Sequence, residues 1–254
     1  MNYRKIIPCL DVKDGRLVKG INFVSLKDIG DPAESGAAYS EAGADELVFL
    51  DITATVENRK TIIDAVAQTL EQISIPLTVG GGIRSIDNIK DLLDLGVSKV
   101  SINTAAIHNP DLLASAVREF GGEKITVAID TRKSYVVSSG FEVMIDGGRT
   151  PTGKDAVEWA KKVEDSGVGT LLPTSMDTDG TLAGYDIPMT RAIADAVRIP
   201  VIASGGAGTL DHLYEAIQEG HADAVLVASI AHFGTFTIRE MKEFLNDKGI
   251  PVNL

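Results

Sequence analysis

Short runs of apolar, often β-branched residues alternate with longer amphipathic segments from one end of the chain to the other. The runs KIIPCLD, ELVFLD, IPLTV, KVSIN, KITVAID, TLLPTS, IPVIAS and AVLVAS are nearly continuous in hydrophobicity rather than alternating. That is the pattern of parallel strands covered on both faces, so each is predicted to be a strand. Between them, DPAESGAAYSEAGA, RKTIIDAVAQTLEQI, SIDNIKDLLDLG, NPDLLASAVREFG and GKDAVEWAKKVEDSG carry apolar residues at helical spacing. Ser85 before Ile86 and Asn109 before Pro110 fit helix starts, and Gly96 and Gly167 fit helix ends. Eight strands each followed by a helix in 254 residues predict an α/β fold, a (β/α)8 TIM barrel, as one domain spanning residues 1–254. The rival, an open doubly wound sheet, usually has fewer strands and a glycine fingerprint only near its start.

The pattern repeats halfway along. TVGGGIRS at 78–85 returns as IASGGAGT at 202–209, with Pro76 matching Pro200 and Gly82 matching Gly206, both 124 apart (200 − 76 and 206 − 82). EAGADELVFLDIT overlays DSGVGTLLPTSMD at the same offset. PCLDVKDGRLVKG resembles VAIDTRKSYVVSSG, which sets Asp11 opposite Asp130 (130 − 11 = 119). Two half-barrels closed on each other are therefore expected, a period far longer than a solenoid repeat. After the fifth strand, SYVVSSGFEVMIDGG alternates with period two around Ser139 and Gly140 and reads as a hairpin insertion. The segment VKDGRLVKGINFVSLKDIGD, after the first strand, is too long for a bare connection and reads either as a lid or as disordered chain.

Composition narrows the partners. A formal charge of −12 argues against general affinity for nucleic acid or anionic membranes, since both attractions rest on basic surface. No apolar run approaches the ~20 residues of a membrane span, and the opening MNYRKIIPCLDVKDG lacks the pattern of a signal peptide, so a cytoplasmic location is expected. The single cysteine, Cys9, has apolar neighbours and reads as a core thiol. An anionic ligand would have to be drawn in by local donors, because the overall field repels it.

In a barrel of this type, function resides at the carboxyl ends of the strands. Asp11 and Asp130 hold that place on strands one and five, opposed across an eight-membered ring. Two such carboxylates can divide proton donation and acceptance if their environments push their pKa values apart; the structural alternative is that each caps its own loop. The glycines of Val79-Gly80-Gly81-Gly82 and Ser204-Gly205-Gly206-Ala207-Gly208 would let backbone amides approach an anion, and alternatively serve tight packing. The strand after each turn ends in Asn103-Thr104 or Ala228-Ser229, which adds a hydroxyl. Together these read as two phosphate cups, with SIAHFG after Ser229 a candidate short helix. Lys19, in the long first segment, reads as a solvated lysine or as a cation closing over an anionic substrate. His108, His212, His221 and His232 lack metal-ligand spacing, so neither a metal nor another cofactor is expected. P-loop and nucleophile-elbow motifs are lacking too.

With IIPCLDVKDGRLVKG, DELVFLDIT, TVGGGIRS, KVSINTAA, VAID, TSMDTDGTLAGYD and IASGGAGT in place, the chain resembles the cyclase-subunit family of imidazole glycerol phosphate synthase over nearly its whole length. The resemblance implies an enzyme of histidine biosynthesis, partnered by a glutaminase subunit that supplies ammonia. The implied substrate, phosphoribulosyl-formimino aminoimidazole carboxamide ribonucleotide, is a bisphosphate, which ammonia converts to imidazole glycerol phosphate and aminoimidazole carboxamide ribonucleotide. By resemblance, Asp11 and Asp130 are the acid/base pair. Gly82, Asn103 and Thr104 form one phosphate site; Asp179, Gly180, Gly206, Ala228 and Ser229 form the other, and Lys19 is the loop lysine over the substrate. Lys5, Glu46, Lys99 and Thr170 stand where the family rings an ammonia gate at the amino-terminal face. Thr170 replaces a usual glutamate, and Ser98 replaces a frequent acidic residue facing the glutaminase, so the charge balance of the gate and its coupling to the partner are expected to differ. The sister isomerase, with the same two-aspartate and two-phosphate plan but no ammonia, is the nearest rival; a non-catalytic sugar-phosphate-binding barrel is the rival from another class. The DITAT, SINTAA and SMDTDGT motifs favour the cyclase.

Overall fold

The computed structural model describes residues 3–21, 24–52 and 59–254. In the first half the chain runs β1 (Lys5–Lys13), β2 (Arg16–Ile21), β3 (Val24–Gly30), α1 (Pro32–Glu41), β4 (Leu47–Asp51), α2 (Arg59–Gln72), β5 (Leu77–Gly80), α3 (Ile86–Asp94), β6 (Lys99–Ile102), α4 (Thr104–His108) and α5 (Asp111–Phe120). The second half repeats that order: β7 (Ile125–Lys133), β8 (Phe141–Ile145), β9 (Thr150–Asp155), α6 (Ala156–Asp165), β10 (Thr170–Ser175), α7 (Ile187–Ala194), β11 (Ile202–Ala203), α8 (Leu210–Gln218), β12 (Ala224–Val227), α9 (Ser229–His232) and α10 (Ile238–Asp247).

The ring closes in parallel. β1 pairs with both β4 and β12, and β4, β5, β6 and β7 follow in series. β10 pairs with β7, meets β11 through the bridges Leu171↔Val201 and Thr174↔Ser204, and β11 returns to β12. The (β/α)8 barrel is the architecture expected from near-continuous apolar strands, because each must bury one face in the lumen and the other under a helix. Inward residues form one cluster: Ile7, Cys9, Val48, Leu50, Ala128, Leu172, Ile202, Ala224, Leu226 and Ala228. Outward residues such as Leu10, Phe49, Leu77 and Val127 pack with the helices. Truncating the fully buried Phe49 to alanine would cost about 3–5 kcal/mol, the usual range for a core phenylalanine.

The caps repeat as well. Asp31 accepts from the amides of Ala33 and Glu34 at the start of α1, and Asp155 accepts from Val157 and Glu158 at the start of α6. Ser85 caps α3 and Thr209 caps α8. Gly96 and Gly167 follow helix ends with left-handed φ of 108° and 84°. The expected helix start at Asn109 is displaced: Asn109 closes the short α4, and Pro110 takes the cap position of α5. The predicted short helix after Ser229 is α9.

Two antiparallel hairpins rise from the carboxyl ends of β1 and β7. The second is the predicted insertion, with Lys133↔Phe141 and Asp130↔Met144 in register, continued by β9. The first occupies the segment read as lid or disordered chain: β2 pairs with β1 and β3, turning at Asp14 and Gly15, whose φ values are 52° and 75°. Two successive positive φ values suit a two-residue hairpin turn, for which Asp-Gly is a preferred pair. No helix among the described residues is long and apolar enough to cross a membrane.

Candidate active site

Strand alternation carries the lumen series upward to the carboxyl-terminal mouth. Two residues beyond Cys9 stands Asp11, and two beyond Ala128 stands Asp130; they are only 5% and 8% exposed. The first hairpin places Lys19 so that its Nζ lies 3.0 Å from Asp11 Oδ2, with both side chains largely buried. Of the two readings of Lys19, the structure thus has the cation inside the mouth, paired with a carboxylate. Cys9, beneath, sets its Sγ 3.7 Å from Asp11 Oδ1, so this core thiol faces the lumen.

Asp130 has a different setting. Burial pushes its carboxyl up to about 6, opposed by a hydrogen bond from Asn103 and aided by the negative charge of Asp179. Asp179 is itself raised, first by burial and also by Asp11, against the pull of Lys19 and a hydrogen bond from the Gly180 amide. Burial works to lower Lys19, but Asp11 and the other anions around it prevail and leave its pKa raised. Asp179 is thus within electrostatic reach of both Asp11 and Asp130. Three carboxylates share the mouth with Lys19, and their environments separate them.

A cavity opens here, lined by Asp11, Lys19, Asp179, Gly180, Gly206 and Ser229 among others, with Ala228 also on its wall. The second set of expected phosphate residues therefore converges on one space with Asp11 and Lys19. Gly82, Asn103, Thr104 and Asp130 lie outside that lining. On their side the second hairpin reaches over: the Asp146 amide donates to Thr104 Oγ1 at 3.2 Å. Asn103 turns to Asp130 and leaves its buried Oδ1 without a hydrogen-bond partner.

The glycine turns answer to packing in both halves. A Cβ on Gly81 would stand 2.0 Å from the Asp51 carbonyl oxygen, and one on Gly206 would stand 2.0 Å from that of Gly184. The close approach of neighbouring backbone therefore demands glycine there. Gly82 and Gly206 also hold left-handed φ of 64° and 108°.

At the opposite end of the lumen, Glu46 accepts hydrogen bonds from Lys5 and from Lys99, the latter at 3.1 and 2.9 Å. Burial would raise the Glu46 pKa, but the two lysines outweigh it and hold it low. Thr170, on the same tier at the start of β10, is 7% exposed. Ser98, beside Lys99, is exposed on this face. Buried Thr78, Ser101 and Thr126 add hydroxyls to the same wall: Thr78 is in register with Val48 of the lumen cluster and with Lys99, Ser101 with Thr126, and Thr126 with Thr170. Their signal in the sequence is a polar residue at an inward position of an otherwise apolar strand.

DITAT contributes Asp51 and Ile52 to the described residues; the rest of that motif lies outside them. The fold and site define a (β/α)8 barrel whose acid/base-capable carboxylates and lysine gather at the mouth, the face on which enzymes of this fold carry their active sites. Over residues 5–237 the chain matches the family model described as histidine biosynthesis protein. It belongs to that family, whose members are enzymes of histidine biosynthesis.

Proposed function

We propose that the chain is the cyclase subunit of imidazole glycerol phosphate synthase, acting with a glutaminase subunit docked on the amino-terminal face. The observation that carries this reading over the sister isomerase is the Lys5–Glu46–Lys99 ring, set at the floor of the same lumen that ends at Asp11. An isomerase has no use for a passage from that face, whereas an ammonia-dependent cyclase does. The lumen wall, with hydroxyls at Thr78, Ser101 and Thr126 in place of the bulky branched side chains usual in such barrels, suits a small polar traveller.

In this reading, the phosphoribulosyl-formimino aminoimidazole carboxamide ribonucleotide spans the mouth. One phosphate is held by Gly82, Asn103 and Thr104, and the other by Gly206, Ala228 and Ser229, beside Gly180. The Asp179 carboxylate repels an anion; its part is to brace Gly180 and to share Lys19. Asp130, whose burial favours the protonated form, is the proton donor. Asp11, the carboxylate paired with Lys19, is the acceptor, and Lys19, on the cavity wall, would exchange that pairing for the anionic substrate. A carboxyl held toward its protonated form by burial and a carboxylate held against a cation can serve as acid and base.

The test is the production of imidazole glycerol phosphate from that ribonucleotide with free ammonium ion, then with glutamine and the partner subunit. Product under ammonium supports the cyclase. Rearranged substrate formed from the isomerase's precursor without ammonia would transfer the chain to the isomerase, and tight binding with no conversion would make it a binding barrel.

A further inference from the structure

The two halves differ at one wired contact. His232, the last residue of α9, places Nε2 2.8 Å from the Cys9 carbonyl oxygen and Nδ1 2.7 Å from the Tyr39 hydroxyl on α1. A carbonyl only accepts, so Nε2 carries the ring proton and Nδ1 accepts from Tyr39. Burial also lowers the His232 pKa, which agrees with a neutral ring. The paired register of β1 and β12 ends at Pro8↔Val227, so the Cys9 carbonyl lies one residue past it, and the imidazole meets it there.

The matching place in the first half is apolar. His232 corresponds to Ile107 and Ala228 to Asn103 (232 − 107 = 228 − 103 = 125), while Tyr39 corresponds to Val163 (163 − 39 = 124). Ile107 and Val163 belong to one hydrophobic cluster. At this position α4 of the first half presents an apolar side chain, whereas in the second half directed hydrogen bonds tie α9 to the strand that bears Asp11. A helix of four residues cannot fix itself, since its few internal bonds do not repay nucleation. Its place is set by what it touches: Ile230 in the core and His232 between two partners.

We propose that His232, held as a neutral imidazole between Tyr39 and Cys9, is a positioning residue that keeps Ser229 and the second phosphate cup in register with Asp11. The inference rests on the reading of that cup given above. Inorganic phosphate is the probe, titrated while the backbone amides of Gly206 and Ser229 are followed by NMR, with those of Gly82 and Thr104 as the internal control. His232→Leu is expected to weaken phosphate at Gly206 and Ser229 about tenfold, the scale of one lost buried hydrogen bond, and to leave Gly82 and Thr104 within about twofold. His232→Gln retains a donor and an acceptor and is expected to recover most of the loss; Tyr39→Phe is expected to fall between. In turnover, His232→Leu should raise KM for the bisphosphate more than it lowers kcat. Equal weakening at both cups, equal damage from Leu and Gln, or a folded His232→Leu protein with unchanged phosphate affinity and KM would each overturn the proposal. A wild-type protein that binds phosphate at Ser229 but forms no imidazole glycerol phosphate would end the cyclase reading alone; the titration would still judge His232.

Discussion

The two ends of the lumen carry opposite charge arithmetic. At the floor, Glu46 sits between Lys5 and Lys99, and every polar contact of the carboxylate is met within the protein. At the mouth, Asp11 and Asp179 share Lys19 while Asp130 faces Asp179 without a cation among the described residues, and burial raises the pKa of Asp130 and Asp179. The floor has two cations for one carboxylate, whereas the mouth has, among the described residues, one cation for three carboxylates, with Lys19 paired to Asp11. A closed network resists change, whereas groups held away from their ordinary pKa store a preference for a proton or a counter-ion that a ligand can supply. On the proposed reading, chemistry belongs to the mouth and passage or support to the floor, and each end can be tested against the other.

The largest effect is expected at the mouth. Asp130→Asn and Asp11→Asn should each fold, retain substrate binding, and lose turnover by about 10² to 10⁴, the usual worth of a positioned acid or base. Steady-state rates at saturating ammonium check this, and near-normal rates in either variant would remove its aspartate from the chemistry. Asp130→Asn should also be more stable than the parent at pH 8, by up to about 3 kcal/mol. The sign follows from a folded pKa of about 6, above the ordinary 3.8: the parent's ionised form is disfavoured by folding, and its stability falls as pH rises through 6. The two proteins should converge below pH 4 in urea unfolding. In the parent, kcat/KM should decline as pH rises through about 6 if Asp130 donates the proton; a rise there would make it the base.

At the floor, Glu46→Gln leaves two ammonium groups facing each other. A fully buried broken pair costs about 3–5 kcal/mol, but the Lys5 side chain is 46% exposed, so solvent screening reduces the expected loss to about 1–2 kcal/mol. Glu46 has a lowered folded pKa, so its contribution is present above the ordinary glutamate range and lost as pH falls through the folded value. The gap between Glu46→Gln and the parent should therefore close in acid. A gap that persists unchanged at low pH would show that shape, rather than charge, holds the ring. With free ammonium, turnover should change far less than in the aspartate variants.

These contrasts were unequally legible in the sequence. Apolar runs and the offset of 124 point to the barrel and its halves because burial on both faces leaves a local mark. Asp11 and Asp130 stand out for the same reason, as charges ending otherwise apolar strands. The first hairpin is not legible from the segment's length, which points to a lid or disordered chain, although Asp14-Gly15 marks its turn. The Tyr39–His232–Cys9 contact had no local signal: its residues lie 193 and 223 positions apart and meet only after the ring closes. The Lys19–Asp11 pair depends on the same hairpin.

The smallest effect should come from Thr170→Glu, and it sharpens the comparison most finely. Thr170 is buried on the tier of Glu46, and its register partner is Thr126, so a glutamate there would bring a second carboxylate to a ring with two lysines and one acid. If either lysine swings to the new carboxylate, charge balances and stability should shift by less than about 1 kcal/mol. Turnover with free ammonium should stay within about twofold, because the mouth is untouched. If a glutaminase docks on the amino-terminal face as proposed, the glutamine-driven rate should move severalfold, because the ring lies between that face and the lumen. Both rates unchanged would mean that the ring does not regulate passage. Both rates lowered together would mean that the floor and the mouth are not separable, and the contrast drawn between them would fail.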